Sequence, residues 1–264
     1  MIFLSRARPL LAALSMLLLG YAHAQPVLDR VRTAGTLKVC IWPEYYGVTY
    51  RHPRTQELNG IDIELAAALA TDLNVRVEYV DSSFPTLVSD LVEDRCDVAM
   101  FAVGVTAQRA EKLRFTQPYL RSDIYGITTK SNQVVREWSD IDKPGVLVAV
   151  QSGTFMEPVM EQRLKHAQLV RVKLPATRER ELVAGRVDVF MTDYPYSRRL
   201  LDNADWARLI APAEPFSVLP YAYAVKPGDA QWLAVVDEFV SRIKKDGRLN
   251  NAASKQGLGP IVVR

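Results

Sequence analysis

One six-residue pattern occurs twice and limits the architecture more than any other feature. Arg95-Cys96-Asp97-Val98-Ala99-Met100 and Arg186-Val187-Asp188-Val189-Phe190-Met191 share R-x-D-V-x-M. Each copy opens a nearly continuous apolar run, as expected for a parallel strand covered on both faces. Each also follows a helical pattern and precedes a polar loop. In the first half, Leu37–Trp42 reads as a strand and Asn59-Gly60 as a turn. A helix capped by Asp62 then carries Leu65, Leu69 and Leu73 at i, i+4 spacing. Val75–Val80 is a strand, Ser83 caps a helix with Pro85 in its first turn, and Cys96–Val103 is the third strand. The second half repeats this order. Its elements are a Val146–Val150 strand, a helix opened by a Thr154–Glu157 capping box, a Leu169–Val172 strand, a Thr177–Ala184 helix and a Val187–Thr192 strand. The expectation is two similar α/β lobes, each a doubly wound, mostly parallel sheet. Ile124–Thr129 leads out of the first half and Tyr221–Val225 leads back. Gln231–Lys244, with Trp232, Val236, Phe239 and Ile243 inward and Gly247 at its end, returns a C-terminal helix to the first lobe. The expected division is 25–126 plus 224–264 for one lobe and 127–223 for the other, with a cleft between them at two hinge strands.

The N-terminus bears on the compartment. Arg6 and Arg8, the apolar run Leu10–Leu19 and Ala22-His23-Ala24 read as a secretory leader cleaved after Ala24. The 240 residues left carry 31 basic and 30 acidic side chains. That near-neutral balance argues against nucleic acid or a polybasic membrane contact. After the leader, no apolar run approaches the roughly 18 residues that read as a membrane span. An exported, periplasmic monomer is expected.

Cys40 and Cys96 are the two cysteines. An oxidising compartment favours a bridge. The expected strands, however, place one near a strand end and the other at a strand start. A separation beyond the ~7 Å limit follows, and two free buried thiols are expected. With only His52 and His166 after the leader, no metal-ligand spacing or hydrolase triad emerges, and no cofactor is expected.

Functional residues are sought past the carboxyl ends of the strands, where ligands sit in open α/β sheets. Thr106 is placed to cap a helix, putting Arg109 in its first turn, near a helix N-terminus that favours an anion. Arg109 reads either as a carboxylate ligand or as a solvated surface arginine. Asp193 ends a strand at the equivalent place in the second half. It reads as an acceptor for a ligand ammonium or as the cap of the Tyr194–Leu201 helix. Ser152-Gly153-Thr154 offers close backbone approach, or capping alone. Trp42, Tyr45 and Phe84 follow strand ends and would pack a ligand or the core.

Several blocks in order resemble the periplasmic solute-binding proteins of polar amino-acid ABC importers, family 3. They are Gly60-Ile61-Asp62-Ile63-Glu64-Leu65, then Asp97 to Met100 with Val105-Thr106-Ala107-Gln108-Arg109, then Phe115-Thr116-Gln117-Pro118-Tyr119, Val150 to Thr154 and Gly185 to Asp193. The resemblance spans about residues 34–250. It implies the two-lobed type II periplasmic-binding-protein fold, hinge closure on a ligand, and an inner-membrane ABC permease as partner. It also implies that Arg109 holds an α-carboxylate, Asp193 an α-ammonium, and that Gly153 and Thr154 donate to the carboxylate. Tyr45 and Phe84 would line the side-chain pocket. Three departures shape that pocket. Gly104 and Ala102 replace common hydroxyl residues, so contacts there would be through backbone. Phe155 replaces a common Thr, and Trp42 takes a position often acidic or small. Together they tilt the contents toward an aromatic or apolar body.

A second reading comes from enzymes of the same fold, the periplasmic cyclohexadienyl dehydratases, which act on prephenate or arogenate. Pro118-Tyr119-Leu120-Arg121, Ile141-Asp142-Lys143-Pro144-Gly145 and Met191-Thr192-Asp193 resemble them. Such chemistry needs a general acid, for which Glu179 or Glu181 stands available. Phe84 and Phe155, where these enzymes are expected to carry Trp and Asn, argue against it. A binding protein for a non-amino-acid carboxylate is a third reading.

Overall fold

The computed structural model describes residues 25–264; the expected leader, 1–24, lies outside the described residues. The first half runs α1 (Val27–Ala34), β1 (Thr36–Ile41), a small hairpin of β2 (Tyr50–Arg51) and β3 (Leu58–Asn59), α2 (Ile61–Asp72), β4 (Arg76–Asp81), α3 (Leu87–Val92), β5 (Val98–Gly104), α4 (Ala107–Ala110), β6 (Arg114–Phe115) and β7 (Leu120–Ser122). The second half runs β8 (Ile124–Thr129), β9 (Leu147–Gln151), α5 (Met156–Arg163), β10 (Gln168–Val172), α6 (Arg178–Val183), β11 (Val189–Asp193), α7 (Tyr194–Asn203) and β12 (Ala207–Ile210). The chain then returns through β13 (Leu219–Val225) to α8 (Ala230–Asp246) and α9 (Arg248–Lys255).

Two sheets result, with strand orders β4-β1-β5-β13-β6 and β10-β9-β11-β8-β12. In each, the first three strands are parallel and the crossing strand joins antiparallel. The molecule has the expected two-lobed, doubly wound α/β architecture. The repeated pattern has a shared structural cause. Asp97 donates its amide to the Lys38 carbonyl and accepts the Lys38 amide on Oδ2, both at 2.8 Å. Asp188 does the same to Leu147, at 2.9 and 2.8 Å. Each aspartate thus locks the start of a central strand to its neighbour, pairing Val39 with Val98 in one sheet and Val148 with Val189 in the other.

The chain crosses between sheets at Asp123 and again through 211–218. The two crossings are tied together. The Asp123 carboxylate accepts the amides of Ile124 at 2.7 Å, Phe216 at 2.8 Å and Ser217 at 2.6 Å. Helix α8 buries Trp232, Val236, Phe239 and Ile243 as its periodicity predicts, and Gly247 ends it in the left-handed region at φ 86°.

The structure corrects three expectations here. Helix α3 begins at Leu87 with Thr86 at its cap position, so Ser83 and Pro85 lie ahead of the helix and not at its cap and first turn. Cys40 and Cys96 form a disulfide, with Cα atoms 5.5 Å apart. Strand β5 starts at Val98, two residues later than expected, and the chain bends at Asp97. With Cys40 opposite Ala99, that bend brings Cys96 beneath its partner instead of extending it away along the strand. Asp62 does not cap α2. Gly60 occupies the cap position with φ 140°, where a Cβ would fall 2.1 Å from the Val48 carbonyl oxygen. Asp62 instead turns inward, fully buried. It accepts hydrogen bonds from the Tyr119 and Tyr223 hydroxyls and, at 2.9 Å, from the Ala102 amide.

Candidate functional site

The carboxyl ends of the parallel strands from both sheets face one another, and the loops beyond them meet. On the first-lobe side, Thr106 caps α4 as expected, accepting the Arg109 amide at 3.2 Å. That turn directs the Arg109 side chain inward, where it is only 8% exposed. Its Nη1 donates to the Gly104 carbonyl at 2.9 Å, and its Nη2 crosses to the Gly153 carbonyl at 3.0 Å. The guanidinium lies over the Phe84 ring, 5.2 Å from the centroid. Among the described residues no carboxylate comes within ion-pair distance of it. Burial lowers its pKa to about 10, against the opposing influence of Tyr221 and Tyr45, so it stays cationic at neutral pH.

On the second-lobe side, Asp193 ends β11 and satisfies both roles open to it. Its Oδ1 caps α7 by accepting the Tyr196 amide at 3.1 Å. Its Oδ2 accepts the hydroxyls of Tyr221, at 2.7 Å, and of Tyr45 from the opposite lobe. Burial raises the Asp193 pKa, and the two phenols oppose that rise by stabilising the carboxylate.

One cavity is lined by Trp42, Tyr45, Phe84, Ala102, Thr154, Phe155, Met156, Arg178, Thr192, Asp193, Tyr196 and Tyr221. Its walls are largely aromatic. Trp42 lies 5.2 Å from both Tyr45 and Phe84, and Phe155 lies 6.2 Å from Tyr221. Of the residues expected at the site, Trp42, Tyr45, Phe84, Thr154, Phe155 and Asp193 line this cavity. Arg109, Gly104 and Gly153 instead form a hydrogen-bonded cluster beside it, behind Phe84 and Phe155.

The Ser152-Gly153-Thr154 turn is arranged differently from a simple capping box. Thr154 Oγ1 donates to the Gln151 carbonyl at 2.7 Å, and Glu157 reaches back to accept the Gly153 amide at 2.8 Å. Gly153 has φ 80°, and a Cβ there would lie 2.8 Å from the Pro85 nitrogen across the cleft. The lobes are therefore closed directly on each other at this point.

Ala102, singled out in the sequence as a departure that shapes the pocket, also lines it, while sequence reasoning missed Met156, Arg178, Thr192, Tyr196 and Tyr221. Arg178 was within reach. It follows Thr177, which caps α6 after a strand, as Thr106 does ahead of Arg109. Tyr221 had no local signal, since only the return strand carries it to the cleft. Neither acid weighed for catalysis lines the cavity. Glu181 pairs with Arg186 on the surface, and the Glu179 Oε1 is buried without a partner elsewhere. Among the described residues, Asp193 is the cavity's one carboxylate, no cluster fit for a metal occurs, and no helix is long and apolar enough to cross a membrane. The arrangement is fitted to hold a small molecule with an apolar body and charged groups.

Comparisons with known proteins agree with this fold. The model of bacterial extracellular solute-binding proteins, family 3, matches residues 37–257. The chain is 30% identical to a cyclohexadienyl dehydratase of Pseudomonas aeruginosa, over 90% of this chain and 89% of that one. It is 26% identical to an L-cystine-binding protein of Escherichia coli, over 90% and 88%. Among solved structures, an ancestral amino acid-binding protein described as a precursor of cyclohexadienyl dehydratase superposes with TM-score 0.79. That match has 29% identity and covers 87% of this chain and 98% of that one. With a family match over most of its length and the two-lobed fold to go with it, this chain belongs to the bacterial extracellular solute-binding proteins, family 3.

Proposed function

We propose that this protein is the periplasmic substrate-binding component of an ABC importer, exported with removal of residues 1–24. It holds an amino acid or similar small carboxylate of aromatic or apolar body, acts as a monomer, and docks in its closed form on an inner-membrane permease. The two bodies close about the crossings at Asp123 and 211–218, a few residues from the expected bounds at 126/127 and 223/224, because all of β8 joins the second sheet and all of β13 the first. Arg109 takes the ligand carboxylate and Asp193 its ammonium, with Gly104, Gly153 and Thr154 beside the carboxylate. Trp42, Tyr45, Phe84 and Phe155 pack the body. The observation that carries this reading is the meeting of both lobes around one aromatic cavity, with Tyr45 donating to Asp193 in its wall and Arg109 to the Gly153 carbonyl beside it. A ligand touching both lobes shifts an open–closed equilibrium by its preference for the closed form.

The dehydratase relative favours one second reading, an enzyme acting on prephenate or arogenate. Against it stand Phe84 and Phe155, and a cavity whose one carboxylate, Asp193, already accepts three hydrogen bonds. A thermal-shift screen of amino acids and small carboxylates, run beside a turnover assay on both cyclohexadienyl acids, decides between them. A ligand at 100 times its Kd stabilises by about 2.7 kcal/mol. Such a shift without turnover is the expected result. Sustained turnover, or no shift with any compound, overturns the binding reading.

A further inference from the structure

Apart from Arg109, which lies beside the cavity, a second cation lines its wall, and a simple zwitterion held at Arg109 and Asp193 brings it no anion. Arg178 lines it from the second lobe and is only 3% exposed. One of its N–H groups is used, Nη1 donating to the Met191 carbonyl at 2.6 Å. The guanidinium lies over the Tyr196 and Phe190 rings, 4.7 and 5.3 Å from their centroids, which fixes its plane. Among the described residues no acid lies within ion-pair distance of it. The acids on the surrounding elements lie near enough to feel its charge, but none pairs with it. Asp193 accepts from Tyr45, Tyr221 and the Tyr196 amide. Glu44 lies near Glu179, Arg180 and Arg178 itself, and the Glu179 Oε1 is buried without a hydrogen-bond partner.

A second observation points the same way. Thr192, next in sequence to the carbonyl that Arg178 holds, lines the cavity with its Oγ1 fully buried and without a hydrogen-bond partner. A buried hydroxyl without a partner is destabilising, and a buried guanidinium without an anion more so. Both penalties are relieved by one acceptor placed between them. A carboxylate is such an acceptor, because its two oxygens fit the guanidinium fork and also receive a hydroxyl proton.

We propose that Arg178 and Thr192 form a second anion subsite, so that the ligand carries an acidic group in addition to the carboxylate assigned to Arg109. This rests on the binding reading above and narrows it to acidic amino acids and related dicarboxylates. With Arg109 and Arg178 positive and Asp193 negative, a ligand of net charge −1 brings the closed site to neutrality.

The test is calorimetric titration with matched pairs of probes, L-glutamate against L-glutamine and 4-carboxy-L-phenylalanine against L-phenylalanine. In at least one pair the acidic member binds tenfold or more tightly than the neutral one. In Arg178→Gln that preference falls to near parity, and Arg178→Lys recovers part of it. If the wild-type protein binds the neutral member of each pair as well as or better than the acidic one, the subsite is overturned and the binding reading stands. This comparison does not depend on the variants folding. A loss of affinity in Arg178→Gln that is equal for both members shows a structural arginine and also overturns it. If no probe binds and the thermal-shift screen is blank, both readings fall together.

Discussion

The Arg109 guanidinium ends on the Gly153 carbonyl, 3.0 Å away on the opposite lobe. A side chain from one lobe and a backbone oxygen from the other thus meet beside the cavity. On the proposed hinge closure, this contact would form only in the closed state.

Truncating either end of the proposed clamp leaves a buried ligand charge unpaired, which costs about 2–5 kcal/mol. Arg109→Ala and Asp193→Ala should each weaken binding of the best amino acid from the thermal-shift screen by roughly 30- to 5,000-fold. Arg109→Lys should also bind poorly, because a point charge does not reproduce the fork. Arg114 is exposed and donates only to the Ala110 and Leu113 carbonyls, so Arg114→Ala should change little. Calorimetry on folded proteins makes the comparison, and equal affinities for Arg109→Ala and Arg114→Ala would remove Arg109 from the site.

Gly153→Ala should disfavour closure without unfolding either lobe. The added Cβ meets the Pro85 ring at 2.9 Å only when the lobes are together. Overpacking of this kind costs about 1–3 kcal/mol, a shift of roughly 5- to 140-fold toward the open form. Small-angle scattering with saturating ligand should show a larger radius of gyration than for the wild type, with an unchanged far-ultraviolet spectrum.

The Cys40–Cys96 bridge closes a loop with a sequence separation of 56 residues. On the chain-entropy account this contributes about 4 kcal/mol. For a chain of this size, each kcal/mol moves Tm by about 2–4 °C. Reduction, or a Cys40→Ala, Cys96→Ala double variant, should therefore lower Tm by about 8–16 °C. An unchanged Tm on reduction would show that the bridge is not formed in the folded protein.

Asp62 gives the stability a pH dependence of definite sign. Burial raises its pKa from 3.8 to about 6, opposed by the Tyr119 and Tyr223 hydroxyls and the Ala102 amide. The folded protein then keeps a proton that the unfolded chain releases. The contribution is fully present below about pH 4 and lost as pH rises through about 6. Asp62→Asn should flatten this part of the curve. The difference in Tm between wild type and variant should change between pH 4 and 6 and stay level above pH 7, measured by calorimetry in matched buffers.

Ala102 shows why this buried acid matters to the cavity. It lines the site with φ 48°, a conformation uncommon for a residue with a side chain. Its amide is held by Asp62, and the pairing of β13 with β5 shifts register between Ala222 and Ala224 beside it. A carboxylate from α2, two phenols from β13 and the segment before β7, and a bulged strand together shape one wall.

What the sequence determined by itself was local or periodic. Apolar spacing placed the helices and strands to within a few residues, because burial of one face acts at every turn. The repeated Arg-x-Asp-Val pattern identified two equivalent sheets, because an aspartate at a strand start holds the neighbouring strand's backbone wherever it occurs. Arg109 and Asp193 were legible because each sits past a strand end, whatever the rest of the chain does. Tertiary structure decided what depends on register and approach. Cys40 meets Cys96 because Val39 pairs with Val98 and the chain bends at Asp97. Asp62 serves a core hydrogen-bond network because Gly60 takes the cap. Tyr221 and Arg178 share a wall with Trp42 because two lobes, joined only at Asp123 and 211–218, close on one another. Such contacts join residues from about forty to well over a hundred positions apart, and no spacing along the chain encodes the distance between two separately folded lobes.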